Sequence, residues 1–190
     1  YQLPGENLEI ICMHIYKGYL WMGTTTNGVY RLDIDKKELT HPIKKGNITS
    51  FYRDSEGELW IGSWEEGLFH VKTDGKIENF RYDAKNPHSL SSNFVRACCE
   101  DNLGNIWIGT FNGLNRYNKS TGLFQNHTAN DIQTDGLTHS SIWCIVKDNQ
   151  GTLWLGTYFG GVNYFNPEYE IYTRYSYSSN EKKGLSNPVV

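Results

Sequence analysis

Several features are missing from this sequence of 190 residues, and each absence argues against a class of protein. Hydrophobic residues never run uninterrupted for the about 18 positions that a membrane-spanning helix needs. The net charge is −3, and no block of like charges could follow a phosphate backbone. We therefore expect a segment that contacts neither a membrane nor a nucleic acid.

The common motifs of catalysis and metal binding are also missing. The sequence has no Gly-x-Ser-x-Gly turn and no phosphate-binding loop, and its six histidines include no His-x-x-x-His pair. None of its four cysteines forms a Cys-x-x-Cys motif. We expect no cofactor, no metal and no catalytic residue, and we interpret the cysteines as small buried hydrophobic residues.

Aromatic residues and glycine are abundant by contrast. The chain has 13 Tyr, 8 Phe and 6 Trp beside 19 Gly, but only 2 Met. Aromatic residues favour strands, and glycine favours tight turns. The composition therefore predicts an all-β protein that forms one domain.

One short segment is repeated along the chain. The sequence DSEGELWIGS, which begins at Asp54, returns as DNLGNIWIGT from Asp101 and as DNQGTLWLGT from Asp148. A fourth copy near the start keeps the glycine and the tryptophan but lacks the aspartate, so its leading turn is expected to be shorter. The repeated tryptophans, which are Trp21, Trp60, Trp107 and Trp154, are separated by 39, 47 and 47 residues.

Each copy reads as four short antiparallel strands with turn residues between them. Units of this size and period indicate a β-propeller fragment of about four four-stranded blades. The blades are expected at about 8–43, 47–82, 93–128 and 141–176. Because residues 185–190 match the beginning of the third copy, we predict that they start a next blade and that the chain is a piece of a longer propeller.

The repeated aspartate and tryptophan are interpreted as scaffold rather than as a site. The carboxylates of Asp54, Asp101 and Asp148 are expected to accept backbone N–H bonds in the turn. The tryptophans are expected to lie between neighbouring blades, which explains why the residues around them are apolar at successive positions.

At these positions the sequence resembles the two-component regulator propeller repeat, whose pattern is Asp-x-x-Gly-x-Leu/Ile-Trp-Ile-Gly-Thr followed by Gly-Leu-x-x-Tyr. The resemblance covers nearly the whole chain. Such repeats are found in the periplasmic sensor region of hybrid two-component histidine kinases of polysaccharide-degrading gut bacteria. The resemblance implies a seven-bladed parent propeller, a periplasmic location, an oligosaccharide ligand, and a kinase located elsewhere in the parent protein.

The topology of a four-stranded meander indicates where a ligand would bind. The second turn of each blade and the loops between blades open on the same face, and three of the four second turns carry an aromatic residue. Aromatic rings and polar side chains together suit sugars, although the rings could equally pack on loops or on a neighbouring domain. The candidates are Trp64, Glu65, Phe111, Asn112, Tyr158 and Phe159, joined by Arg96 and Trp143 at equivalent positions of the first strands.

The favoured function is thus a non-enzymatic sensor module that binds an oligosaccharide or transmits its presence. Two alternatives stay open: a structural or protein-interaction propeller, and a carbohydrate-active enzyme, since the repeat also resembles the Asp-box of sialidases. The expected partners are the remaining blades of a longer chain and, through open blade edges, a second copy of this chain.

Overall fold

The computed structural model describes residues 8–129, 136–175 and 185, and every regular element in this part is a β-strand. The strands are β1 (Ile10–Tyr16), β2 (Tyr19–Thr24), β3 (Val29–Asp33), β4 (Leu39–Ile43), β5 (Asn47–Arg53), β6 (Leu59–Trp64), β7 (Leu68–Val71), β8 (Ile77–Phe80), β9 (Val95–Glu100), β10 (Ile106–Thr110), β11 (Gly113–Asn118), β12 (Leu123–His127), β13 (Ile142–Lys147), β14 (Leu153–Thr157), β15 (Val162–Asn166) and β16 (Ile171–Tyr175). The predicted start of a next blade at 185–190 lies outside the described residues, except for Leu185.

The strands form four antiparallel sheets, and each sheet contains four strands that are consecutive in sequence. We call these sheets blades 1 to 4, and the first strands of successive blades lie against one another. The predicted all-β fragment of four four-stranded blades is confirmed. Within the described ranges, no helix is long and apolar enough to cross a membrane.

The turn between the first two strands of blades 2 to 4 is built around the repeated aspartate. In blade 3, the carboxylate of Asp101 accepts the backbone N–H of Asn105 at 2.9 Å, and its carbonyl accepts the N–H of Gly104 at 3.3 Å. Gly104 has a φ of 81°, which glycine adopts more readily than any other residue. The same bonds form around Asp54 and Asp148.

The same aspartate also binds the repeated tryptophan. The indole Nε1 of Trp60 donates to Asp54 Oδ2 at 2.9 Å, that of Trp107 to Asp101 at 2.7 Å, and that of Trp154 to Asp148 at 3.0 Å. Blade 1 has no aspartate at the equivalent turn. Accordingly, the buried Nε1 of Trp21 has no hydrogen-bond partner among the described residues.

Three of the repeated tryptophans are enclosed between two blades. Trp107, which is fully buried, belongs to an apolar cluster with Ile142, Leu153 and Leu155 of blade 4. Trp60 packs in the same way against blade 3, and Trp21 against blade 2. A tryptophan buries 150–250 Å², so each contact stabilises the fold by roughly 4–6 kcal/mol at ~25 cal/mol per Å².

Trp154 differs from the other three because no described sheet covers its face of blade 4. It is partly buried, and Val146 beside it is 60% exposed. At the other end of the arc, β1 exposes Met13 by 62% and Ile15 by 68%. The described blades therefore have two apolar flanks, one on blade 1 and one on blade 4.

The glycine that follows the tryptophan by two positions permits close approach of the next blade. A Cβ atom on Gly109 would lie 2.8 Å from Cγ2 of Ile142, and one on Gly23 would lie 2.6 Å from Cγ2 of Ile48. Real Cβ atoms essentially never approach carbon atoms so closely. This glycine is therefore a packing requirement of the repeat.

A buried ion cluster joins blades 2 and 3. Lys119 Nζ lies 2.9 Å from Asp54 Oδ2 and 3.1 Å from Glu100 Oε1, and the Asp54 side chain is fully buried. Burial alone would raise the pKa of Asp54, but hydrogen bonds from Trp60 and Lys119 outweigh it, so the pKa is lowered. Asp54 is therefore ionised and paired at neutral pH.

Candidate functional site

The second turns of the blades and the loops between blades meet at one end of the sheets, which we call the rim. The backbone N–H of Gly67, in the second turn of blade 2, donates to the carbonyl of Asn93 in the following loop at 3.0 Å. The N–H of Gly113 donates in the same way to the carbonyl of Ser140 at 2.7 Å. These bonds fix the turns and loops together, as the meander topology predicted.

A β-bulge re-aims one side chain at the rim end of each first strand. In blade 3, Val95 pairs with Thr110 and Ala97 pairs with Gly109, so Arg96 is an extra residue between them. Bulges commonly redirect a side chain next to a binding site. The extra residues of the four first strands are Ile11, Thr49, Arg96 and Trp143.

Arg96 lies between two tryptophans from different blades. Its guanidinium carbon is 4.1 Å from the ring centroid of Trp64 in blade 2 and 4.1 Å from that of Trp143 in blade 4. Each contact of this kind contributes about 0.5–2 kcal/mol, depending on how far water is excluded. Arg96 therefore links three blades at the rim.

The aromatic contacts continue outward on both sides of Arg96. On one side, the Trp64 ring meets Phe94 edge-on at 4.7 Å and Phe111 at 6.5 Å. On the other, Trp143 stacks on Tyr158 at 5.2 Å and 16°, and Tyr158 meets Phe159 at 4.2 Å. We call this continuous set the aromatic row: Phe111, Phe94, Trp64, Arg96, Trp143, Tyr158 and Phe159.

Part of the aromatic row faces solvent. Phe111 is 55% exposed, Phe159 is 57% exposed, and Trp143 is 38% exposed. Arg96 is half-buried and has no hydrogen bond or ion pair with any described residue. Burial lowers the pKa of the Arg96 guanidinium, although an arginine remains protonated at neutral pH.

Two of the candidates predicted from the sequence lie on the same turns but outside the row. The side-chain amide of Asn112 donates to the carbonyl of Ser91 at 3.5 Å, so it is directed toward the connecting loop. Glu65 has a positive φ of 85°, and its carbonyl accepts a bond from Arg81. Its carboxylate forms no ion pair within the described part of the chain.

The sequence reasoning missed two rim residues, Phe94 and His139. Phe94 precedes the first strand of blade 3, and His139 lies 6.2 Å from the Phe159 ring, in the loop before blade 4. Both residues lie in connecting loops. The sequence contained one signal for Phe94, which is an aromatic residue only two positions before Arg96.

A separate cavity lies beside the outer part of blade 3. It has a volume of about 400 Å³ and is lined by the two outer strands of blade 3 and the turn between them, including Arg116 and Phe124, together with His88 of the loop before blade 3. It touches no member of the aromatic row.

Comparison with known families identifies the repeat. The family described as "Two component regulator propeller" matches residues 42–65, 89–112 and 136–159. Each matched segment contains a repeated tryptophan and ends in the second turn of its blade, and together the three segments include all eight candidate rim residues. No curated protein matches the chain.

Solved structures with the same fold include two of the extracellular domain of BT4673 from B. thetaiotaomicron, described once as a one-component and once as a hybrid two-component system. They are 23% and 22% identical, with TM-scores of 0.71 and 0.70 over 100% of this chain. The chain spans 25% of the length of that domain. Virginiamycin B lyase from Staphylococcus aureus is 16% identical, with a TM-score of 0.69 over 96% of this chain and 60% of the lyase.

Proposed function

Since three of the four blades carry two-component regulator propeller repeats, we propose that the chain is a non-enzymatic part of the extracytoplasmic sensor region of a hybrid two-component signalling protein. Its location is the periplasm, and its ligand is an oligosaccharide that binds at the rim. The observation that carries this proposal is the aromatic row, which runs unbroken across three blades.

The chemistry of the row suits a sugar ligand. Sugars present flat C–H faces that pack on aromatic rings, and hydroxyl groups that need polar partners. Trp143 and Phe159 offer exposed ring surface, and the carboxylate of Glu65, which pairs with no described residue, lies on the turn next to Trp64. An extended chain of sugars could contact rings from several blades at once.

The carboxylates of the repeat support a binding role over a catalytic one. Asp54 is occupied by Trp60, Lys119 and a backbone N–H, and Asp101 is occupied by Trp107 and its own turn. Glycoside hydrolysis needs two carboxyl groups that flank the substrate. The signalling output is then the work of a kinase located elsewhere in the parent protein.

The two apolar flanks are proposed as protein-binding surfaces. In the parent protein they contact the remaining blades, and in the isolated chain a second copy covers them. An exposed sheet with Met13, Ile15 and Val146 on its surface favours association. Light scattering of the isolated chain is expected to show a dimer, and Val146→Glu is expected to weaken it. A monomer at high concentration would exclude this pairing.

Calorimetry with a panel of neutral and acidic oligosaccharides tests the ligand proposal. Replacing Trp64 and Tyr158 together by alanine is expected to abolish binding. The matched control is Tyr169→Ala, which removes a 66%-exposed ring from a turn at the other end of blade 4. If no oligosaccharide binds, the alternative of a protein-interaction propeller takes its place.

A further inference from the structure

The rim contains one arginine, Arg96, that has no charged partner in the described part of the chain. Arg96 is half-buried among aromatic rings, and no described residue gives its guanidinium a hydrogen bond or an ion pair. Partly buried charges normally have such partners, because removal from water carries a cost. The two ring contacts offset part of that cost.

An arginine that contacts aromatic rings can still bind a ligand through the N–H groups of its guanidinium. All five N–H bonds of a guanidinium lie in its own plane and point outward from its edge. Rings that stack on the faces of a guanidinium leave its edge free to donate two parallel hydrogen bonds. Carboxylate, sulfate and phosphate groups match this geometry.

Four other arginines in the described blades have polar partners, whereas Arg53, which has none among the described residues, is exposed to solvent. Arg31 also lies over aromatic rings, at 4.5 Å from Tyr19 and 5.5 Å from Trp21, but its Nε donates to Thr40. Arg81 pairs with Glu66, and Arg116 pairs with Glu170. The acidic residues of the neighbouring turn do not neutralise Arg96, since Glu66 is bound to Lys45 and Arg81 and neither Glu65 nor Glu66 pairs with Arg96.

The bulge gives a second, independent reason to assign a binding role to this position. A bulged residue is excluded from the regular strand pairing. Each of the four first strands has one such extra residue, and the four residues lie at equivalent positions. Arg96 is the charged member of this set. Its side chain is therefore set by the local backbone to project at the rim.

From these observations we infer that the ligand of the rim is anionic, and that a carboxylate or sulfate of an acidic oligosaccharide binds the edge of the Arg96 guanidinium while its sugar ring lies on Trp143. This inference rests on the proposed oligosaccharide-binding function and specifies the class of ligand.

The test compares ligands that differ only in charge. Oligomers of galacturonic acid are titrated beside their methyl esters, and a sulfated oligosaccharide is titrated beside its unsulfated counterpart. Acidic members are expected to bind at least about tenfold more tightly, because a hydrogen bond between two charged groups is stronger than one to a neutral group. The carboxylate and sulfate pairs show which of the two anions is preferred. Affinity for the acidic members is also expected to fall as salt is added.

Variants separate the role of the charge from the role of the scaffold. Arg96→Gln is expected to remove the preference for acidic ligands while leaving weak binding of the neutral ones. Arg96→Lys is expected to restore part of the preference, because lysine keeps the charge but lacks the planar fork. The matched control is Arg31→Gln, an arginine that also lies over aromatic rings but is hydrogen-bonded to Thr40; it is expected to bind as the unmodified chain does.

The outcomes distinguish this inference from the function on which it rests. If neutral and acidic members bind equally and Arg96→Gln changes neither, the inference is wrong and oligosaccharide binding stands. If no member of the panel binds the unmodified chain, both are overturned.

Discussion

Replacing Asp101 by alanine measures how much the aspartate–tryptophan pair stabilises the blade stack. The fully buried Trp107 would lose the hydrogen bond from its Nε1 to Asp101, at a cost of about 1–3 kcal/mol. Leu103 and Asn105 would lose the carboxylate that accepts their backbone N–H groups. Water can replace those two bonds, so they add about 1 kcal/mol. The free energy of unfolding should therefore fall by about 2–4 kcal/mol.

A double-mutant cycle in urea, followed by circular dichroism, isolates the bond itself. Asp101→Ala is expected to cost about 1–2 kcal/mol less in the Trp107→Phe background, because the indole donor is already gone. Trp21→Phe is the control, since the Nε1 of Trp21 has no hydrogen-bond partner among the residues that the structure describes. It should cost about 1–3 kcal/mol less than Trp107→Phe. Equal costs for the two tryptophans, together with no coupling in the cycle, would show that the bond does not stabilise the fold.

Three further predictions concern the blade interfaces. Gly109→Ala places a Cβ atom 2.8 Å from Ile142 and should destabilise the chain by about 1–3 kcal/mol. Ile142→Ala removes the contacted atoms, so it should cost less in the Gly109→Ala background than in the unmodified chain, which thermal unfolding of the single and double variants checks. Lys119→Met leaves the buried Asp54 carboxylate without its cation, which should lower the free energy of unfolding by about 3 kcal/mol at pH 7. This cost should shrink below pH 4, because the carboxylates are then protonated. A cost independent of pH would contradict the pairing. Burial lowers the pKa of His127, so folding favours its neutral form. The contribution of this histidine to stability is fully present above about pH 6.5 and declines as the pH falls below that value. His127→Phe should flatten the decline in urea titrations between pH 7 and 5.

The scaffold was readable from the sequence because its determinants repeat. The tryptophan spacing and the turn residues predicted four four-stranded blades, and the carboxylates of the repeat do accept backbone N–H bonds. The bond from Trp107 to Asp101 was not foreseen, because it depends on how the hairpin folds one side chain over another. The partial burial of Trp154 reflects the flank on which it lies, which its own repeat does not encode.

The rim was only partly readable, since it depends on contacts between blades. The sequence placed Trp64 and Tyr158 at the same end, but the position of Arg96 between Trp64 and Trp143 arises from three blades together. Bulges leave little trace in a strand pattern. The amide of Asn112 turned out to bind the Ser91 carbonyl, a partner that lies 21 residues away. Whether the rim residues bind a ligand stays a prediction.

The bulged residues separate two tasks of the chain: forming the paired strands of the blades and presenting side chains at the rim. Because these residues are released from strand pairing, exchanging one leaves the backbone ladder of its own blade in place, although the hydroxyl of Thr49 also donates to the carbonyl of Val95 at 2.7 Å. The present set already contains an aliphatic, a hydroxyl, a cationic and an aromatic side chain at equivalent places, namely Ile11, Thr49, Arg96 and Trp143. Under the proposed ligand-binding role, related chains would acquire new specificities by altering one codon in each blade, while the strand pairing beneath is inherited unchanged.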